Sequence, residues 1–142
     1  MTNEEIVRRY AEASMNFDYD TLDELRHPEW SATWPQSGEV LRGTANYRAV
    51  TENYPGGRPR IVQEQLVGSE DRWAPTPLGG AYRVAGEGEN WWGVWRQIYP
   101  DGRTYFSVVL IELRDGRVYR ETIYWAEPFE APAWRARWVE QS

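Results

Sequence analysis

The sequence predicts an α+β domain, with helices gathered in its first half and antiparallel strands in its second. Three observations carry that expectation. Aromatic and β-branched residues run almost unbroken from Trp91 to Trp125, interrupted only by Pro100-Asp101-Gly102 and Asp115-Gly116. Apolar residues at helical spacing open the chain and return near residue 47. The 142 residues, 41% hydrophobic and 15% aromatic, supply the core of one domain spanning 1–142, without a second.

Thr2 and Glu5 form a capping box, and Ile6, Tyr10, Ala13 and Phe17 follow on one face, which predicts a helix over 3–17. Asp20 is placed to cap a shorter helix carrying Leu22 and Leu25, which must end before Pro28. Strands at Trp30–Trp34 and Glu39–Leu41 flank the turn-prone Pro35-Gln36-Ser37-Gly38 and form a hairpin. Thr44 offers an N-cap for a third helix bearing Tyr47, Val50 and Tyr54, and Pro55-Gly56-Gly57 stops it. A strand at Ile61–Val67 follows, and Ser69–Gly80, with two prolines and two glycines, reads as a loop near a pocket mouth. The last strands are Trp91–Tyr99, Thr104–Leu113 and Val118–Trp125. The tail is expected to pack onto the body through Phe129, Trp134 and Trp138, with a short helix starting near Pro132.

Absent side chains narrow the chemistry. All sixteen basic residues are arginine, which removes Schiff-base catalysis and the P-loop lysine. There is no cysteine, hence no thiol nucleophile and no iron–sulfur ligand. One histidine, His27, does not make a multi-histidine metal site, so no metal and no cofactor are expected. A net charge of −6 repels phosphate backbones and anionic lipid, which argues against nucleic-acid and membrane partners. No apolar run approaches the roughly 20 residues of a membrane span, and the acidic start Met1-Thr2-Asn3-Glu4-Glu5 is unlike a signal peptide. The expected location is the cytoplasm.

Helix, short helix, hairpin, helix and long antiparallel strands is an order that resembles the NTF2-like cone, in its SnoaL-like and ketosteroid-isomerase-like branch. The resemblance rests on Val7-Arg8-Arg9-Tyr10, Leu41-Arg42-Gly43, Asp115-Gly116-Arg117-Val118 and Tyr124-Trp125-Ala126-Glu127, and covers nearly the whole chain. It implies three N-terminal helices packed on a strongly curved antiparallel sheet that encloses an apolar pocket, and a homodimer formed through the outer sheet face. In the isomerase relatives a helix-1 tyrosine and a protonated aspartate form an oxyanion hole while a second aspartate is the base. Tyr10 falls on that tyrosine, whereas Trp34 and Val109 fall on the two acids. The last-strand aspartate of epoxide-hydrolase relatives falls near Ile123, and the Asp–His pair of dehydratase relatives has only Asp18 with His27 to imitate it. None of these mechanisms transfers whole.

Glu121 is the leading candidate for catalysis. Alternation puts it on one strand face with Tyr119, Ile123 and Trp125, a face the resemblance turns toward the cavity. A carboxylate among aromatics is placed to act as general base or acid, although a structural ion pair, for instance with Arg96, is the plain reading. Tyr10 is the candidate oxyanion donor, against the plain reading of a core tyrosine satisfied locally. His27 is the candidate that titrates near neutrality, against the reading that it merely complements a helix dipole. Trp30, Trp34, Trp95, Ser107, Val109, Ile123 and Trp125 are the candidate ligand contacts, with Trp91 and Trp92 as further rings. On Thr104–Leu113 both faces are apolar, so the helices cover one and a second subunit the other.

The function these residues support is cofactor-free acid–base chemistry on a small hydrophobic carbonyl or hydroxyl compound, of isomerase, dehydratase, cyclase or hydrolase type. The rival is a non-catalytic small-molecule binding or dimerisation module of the same fold.

Overall fold

Thr2 starts the first helix, α1 (Asn3–Met15), through the capping box: its hydroxyl accepts from the Glu5 N–H, and the Glu5 carboxylate accepts from the Thr2 N–H at 2.7 Å. Ile6, Val7, Tyr10, Ala11 and Ala13 form its buried stripe. It stops at Met15, two residues short of the expected end, because Phe17 takes φ 51° and turns the chain. The second helix, α2 (Tyr19–Leu25), is capped by Asp18 rather than Asp20, with the Asp18 carboxylate accepting from Thr21 N–H. In the third, α3 (Thr44–Glu52), the N-cap is Gly43 at φ 79° and not Thr44. Thr44 is already the first helical residue, and its hydroxyl accepts a hydrogen bond from Arg26.

This computed structural model describes residues 1–75 and 81–142, with side chains described outside 69–87. Six strands form one sheet: β1 (Arg26–Trp34), β2 (Glu39–Arg42), β3 (Arg60–Pro75), β4 (Ala81–Ile98), β5 (Thr104–Arg114) and β6 (Arg117–Ala126). Their order is β2-β1-β6-β5-β4-β3, antiparallel throughout except for the parallel pair β1 and β6. The hairpin and the three C-terminal strands expected from sequence are all present. β1 begins earlier than Trp30, at Arg26, and passes through Pro28; its register against β6 jumps between Arg26 and Ser31, so the proline sits where no ladder hydrogen bond is required.

The loop reading of Ser69–Gly80 is corrected over its first part: Asp71–Pro75 pairs with Ala81–Ala85, on a strand at the sheet edge where proline is tolerated. Residues 76–80 lie outside the described residues. The tail reading is corrected as well. A 3₁₀ turn does form at Ala133–Trp138, but Phe129, Trp134 and Trp138 are 80%, 73% and 65% exposed. β6 is flanked on both sides by other strands, so the chain leaving Ala126 finds no open edge to join.

The helices cover the concave face, where Val7, Tyr10, Leu22, Leu25, Trp30 and Val118 form the centre of the core. No described element covers the convex face, and Val108, Leu110 and Tyr124 stand 38%, 43% and 45% exposed on it. Among the described residues no helix is long and apolar enough to cross a membrane.

Candidate functional site

Strand alternation turns every second side chain of β1, β4, β5 and β6 toward the helices, and these side chains enclose a cavity of about 440 Å³. Trp30, Ala32 and Trp34 come from β1, Trp95 and Gln97 from β4, Ser107 and Val109 from β5, and Glu121, Ile123 and Trp125 from β6. Tyr10 reaches in from α1 and Tyr47 from α3, while Tyr99 and Tyr105 extend the aromatic wall. All seven side chains expected to contact a ligand therefore line one space.

A chain of hydrogen bonds runs across one end of this cavity. Arg26 Nη1 donates to Thr44 Oγ1 at 3.1 Å, and Arg26 Nε donates to Tyr10 Oη at 2.9 Å. Tyr10 Oη donates to Glu121 Oε2 at 2.7 Å, and Trp30 Nε1 donates to the same oxygen at 2.9 Å. The guanidinium lies against two rings, its Cζ 3.5 Å from the Trp30 centroid and 4.5 Å from that of Tyr47. Arg26 and Glu121 are 4% and 8% exposed, so this is a buried pair of opposite charges joined through a tyrosine rather than in direct contact. Burial pushes the Tyr10 hydroxyl well above the ordinary tyrosine range; the Glu121 charge adds to the rise and Arg26 opposes it. Burial likewise pushes Tyr47 up to about 12.

The plain reading of Glu121, an ion pair with Arg96, does not describe it, since Arg96 pairs with Glu64. His27 is a correction. Its ring faces away from the cavity, edge-on to Tyr119 at 5.2 Å, with Nδ1 accepting from Glu29 N–H and Nε2 lying 4.0 Å from Asp115. The cause is that β1 begins immediately after α2, so His27 is strand, one residue out of phase with Arg26. Tyr119 also leaves the face that Glu121, Ile123 and Trp125 share, because the β5–β6 register shifts after Glu112 and puts Val118 opposite Leu113. Trp91 and Trp92 border a second groove instead of the cavity, and Trp91 also packs against the core.

Sequence reasoning missed Arg26, Tyr47 and Gln97. Arg26 was legible in principle, two and four positions ahead of Pro28 and Trp30 in the strand it opens, but only once the strand is known to start that early. Gln97 Nε2 donates to Ser107 Oγ at 2.8 Å, while Gln97 Oε1, Trp34 Nε1 and Trp95 Nε1 are buried without a partner. Among the described residues no group of three or more His, Asp or Glu side chains gathers to hold a metal.

No protein-family model matches the chain, and no curated protein matches it. Solved structures do. An NTF2-like protein of unknown function from Burkholderia xenovorans LB400 is 29% identical, with 99% of this chain and 94% of that one covered and a TM-score of 0.68. A ketosteroid isomerase-like protein from Kribbella flavida is 22% identical over 99% and 89% of the two chains, at a TM-score of 0.74. This chain has the NTF2-like fold. A SnoaL-like polyketide cyclase from Jannaschia sp. CCS1 shares it at 18% identity, 87% and 84% coverage and a TM-score of 0.59. Within the NTF2-like cone, the two positions that the resemblance gives to isomerase acids are occupied by Trp34 and Val109, both in the cavity wall. The carboxylate this NTF2-like chain does carry, Glu121, enters from β6.

Proposed function

We propose that this protein is a cofactor-independent acid–base enzyme acting on a small, largely apolar compound held in the aromatic cavity, with Glu121 as the base. The observation that supports this reading is the placement of one carboxylate in a cavity walled by tryptophan and tyrosine, with two donors fixed on one of its oxygens. Those donors, and the arginine charge behind Tyr10, hold the carboxylate in place and leave Glu121 Oε1 to meet a ligand. Glu121 Oε1 takes no hydrogen bond from any described residue and is not sealed from the cavity. Tyr10, expected as an oxyanion donor, acts in this reading as a positioning residue, because its proton already lies toward Glu121.

The reaction is then proton removal from the bound compound by Glu121, with the reaction type set by what that compound carries. Loss of an adjacent group gives dehydration, and return of the proton elsewhere gives isomerisation. The neighbouring isomerase-like and cyclase-like proteins are compatible with this chemistry and do not choose among its forms. We propose that the active unit is a homodimer formed through the uncovered convex face.

A second reading has its own support. Trp34 and Val109 stand where the resemblance places the acids of the isomerase mechanism, which favours a binding module that keeps the pocket without turnover. One experiment separates the two. A panel of apolar ketones and alcohols is screened for binding by tryptophan fluorescence and for product by mass spectrometry, using the wild type and Glu121→Gln. The enzyme reading expects product from the wild type, and retained binding with turnover reduced by roughly a hundredfold or more in the variant. Binding without product across the panel selects the binding module, and unchanged turnover in Glu121→Gln removes Glu121 as the base.

A further inference from the structure

Arg26 fixes the direction of the Tyr10 proton in the hydrogen-bond chain that ends on Glu121. Its guanidinium has donors only, so Arg26 Nε must donate to Tyr10 Oη. A tyrosine oxygen that accepts from arginine has one proton left, and the atom within reach of it is Glu121 Oε2 at 2.7 Å. Trp30 Nε1, also a donor only, is spent on the same oxygen. Tyr10 and Trp30, the two neutral donors hydrogen-bonded to Glu121, are thereby unavailable to a ligand. On the carboxylate itself Glu121 Oε1, an acceptor, takes no hydrogen bond from any described residue. A bound molecule that places only apolar atoms or another acceptor against it leaves a buried carboxylate oxygen without a partner.

We infer that the cavity selects compounds bearing a neutral hydroxyl, an alcohol or phenol on an apolar body, whose O–H donates to Glu121 Oε1. This rests on the proposed use of the cavity as a ligand site and names the ligand class for it. Neutrality follows from the pairing: Glu121 and Arg26 already balance each other through Tyr10, so a charged ligand would add a buried charge without a counter-charge. The aromatic walls take the apolar body. The inference reverses the role the family resemblance suggests for Tyr10, which would have the cavity recognise a carbonyl acceptor.

The test compares 2-naphthol with 2-methoxynaphthalene, which share one ring system and differ in the donor. Affinities are measured by isothermal titration calorimetry with the wild type and Glu121→Gln. The wild type is expected to bind 2-naphthol about tenfold or more tightly than its methyl ether. In Glu121→Gln, Tyr10 and Trp30 hold the amide oxygen where Oε2 was and the NH₂ group faces the ligand, so the preference falls to near parity. Emission from the wild-type complex gives a readout that does not depend on any variant folding: excited naphthol that donates to a carboxylate passes its proton across and emits as naphtholate.

Equal binding of the two probes by the wild type, or tighter binding of the ether, overturns the hydroxyl preference while the cavity stands as a ligand site. A preference that survives in Glu121→Gln overturns the assignment of Glu121 Oε1 as the contact. Binding of neither probe overturns the ligand-site reading and this inference together.

Discussion

Tyr10 and Tyr47 show how one buried arginine shapes its surroundings. The Tyr10 hydroxyl bonds both Arg26 and Glu121, the Arg26 guanidinium lies against the Tyr47 ring, and burial is the main cause that raises both tyrosines above their ordinary values, Tyr47 to about 12. A tyrosine whose folded value exceeds its unfolded value holds its proton more tightly when folded. Its contribution to stability is therefore fully present below about pH 10, the unfolded value, and is lost as pH rises through the folded one. Denaturant unfolding followed from pH 9 to 12 is expected to show constant stability to about pH 10 and a steep fall above it. Tyr47→Phe should flatten that fall. A decline with the same slope in the variant would show that Tyr47 ionises as freely when folded as when unfolded.

At the same scale, the legibility of the site is uneven. Glu121, Trp30, Trp34 and Trp125 were readable because alternation groups every second side chain of a strand on one face, and the resemblance turned those faces toward the cavity they line. Tyr119 broke the pattern because a register shift inserts a residue, and nothing in Val118-Tyr119-Arg120 announces it. Arg26 and His27 exchanged expected places for a related reason. One residue of difference in where helix gives way to strand decides which of two adjacent polar side chains turns inward.

Among the elements, the entry to α3 carries a direct test. Gly43 occupies the N-cap with φ 79° and ψ 153°, a conformation open to glycine and costly for any residue with a Cβ. A Cβ there would meet nothing within 4 Å, so Gly43→Ala pays for backbone strain alone. The expected loss is of order 1–3 kcal/mol, read as a fall of roughly 3–10 °C in melting temperature. An unchanged melting temperature would mean that the loop relaxes to negative φ without disturbing α3. Thr44, freed from capping, uses its hydroxyl on Arg26 instead, so the helix start and the cavity are tied through one hydrogen bond. The strands differ in what set their limits. Turn residues marked the ends of β5 and β6 in sequence, whereas β3 continues to Pro75 because β4 is there to pair with it.

For the molecule as a whole, the asymmetry between the two sheet faces sets the main expectation. Helices bury the concave side, and the convex side presents Val108, Leu110 and Tyr124 at 38–45% exposure with no described element above them. If the proposed homodimer forms there, Leu110→Arg places a charge in its centre and desolvates it without a partner. Sedimentation velocity is expected to show a dimer for the wild type and a predominantly monomeric Leu110→Arg that keeps its melting transition. A variant that remains dimeric would locate the interface elsewhere, with the exposed Phe129, Trp134 and Trp138 of the tail as the next surface to examine.

By itself, the sequence determined the α+β class, the helix and strand order, the capping box at Thr2 and the aromatic lining of the cavity. Those features follow from local chemistry: hydrogen-bond caps, turn residues and the periods at which apolar side chains recur. Only the tertiary structure decided that Arg26 rather than His27 enters the site, that Tyr10 donates to Glu121, and that the tail stays exposed. Each of these depends on contacts between residues far apart in the chain, such as the 111 positions separating Tyr10 from Glu121. Proton direction in a buried network is a property of the whole set of donors and acceptors, and that set exists only when helix and sheet are brought together.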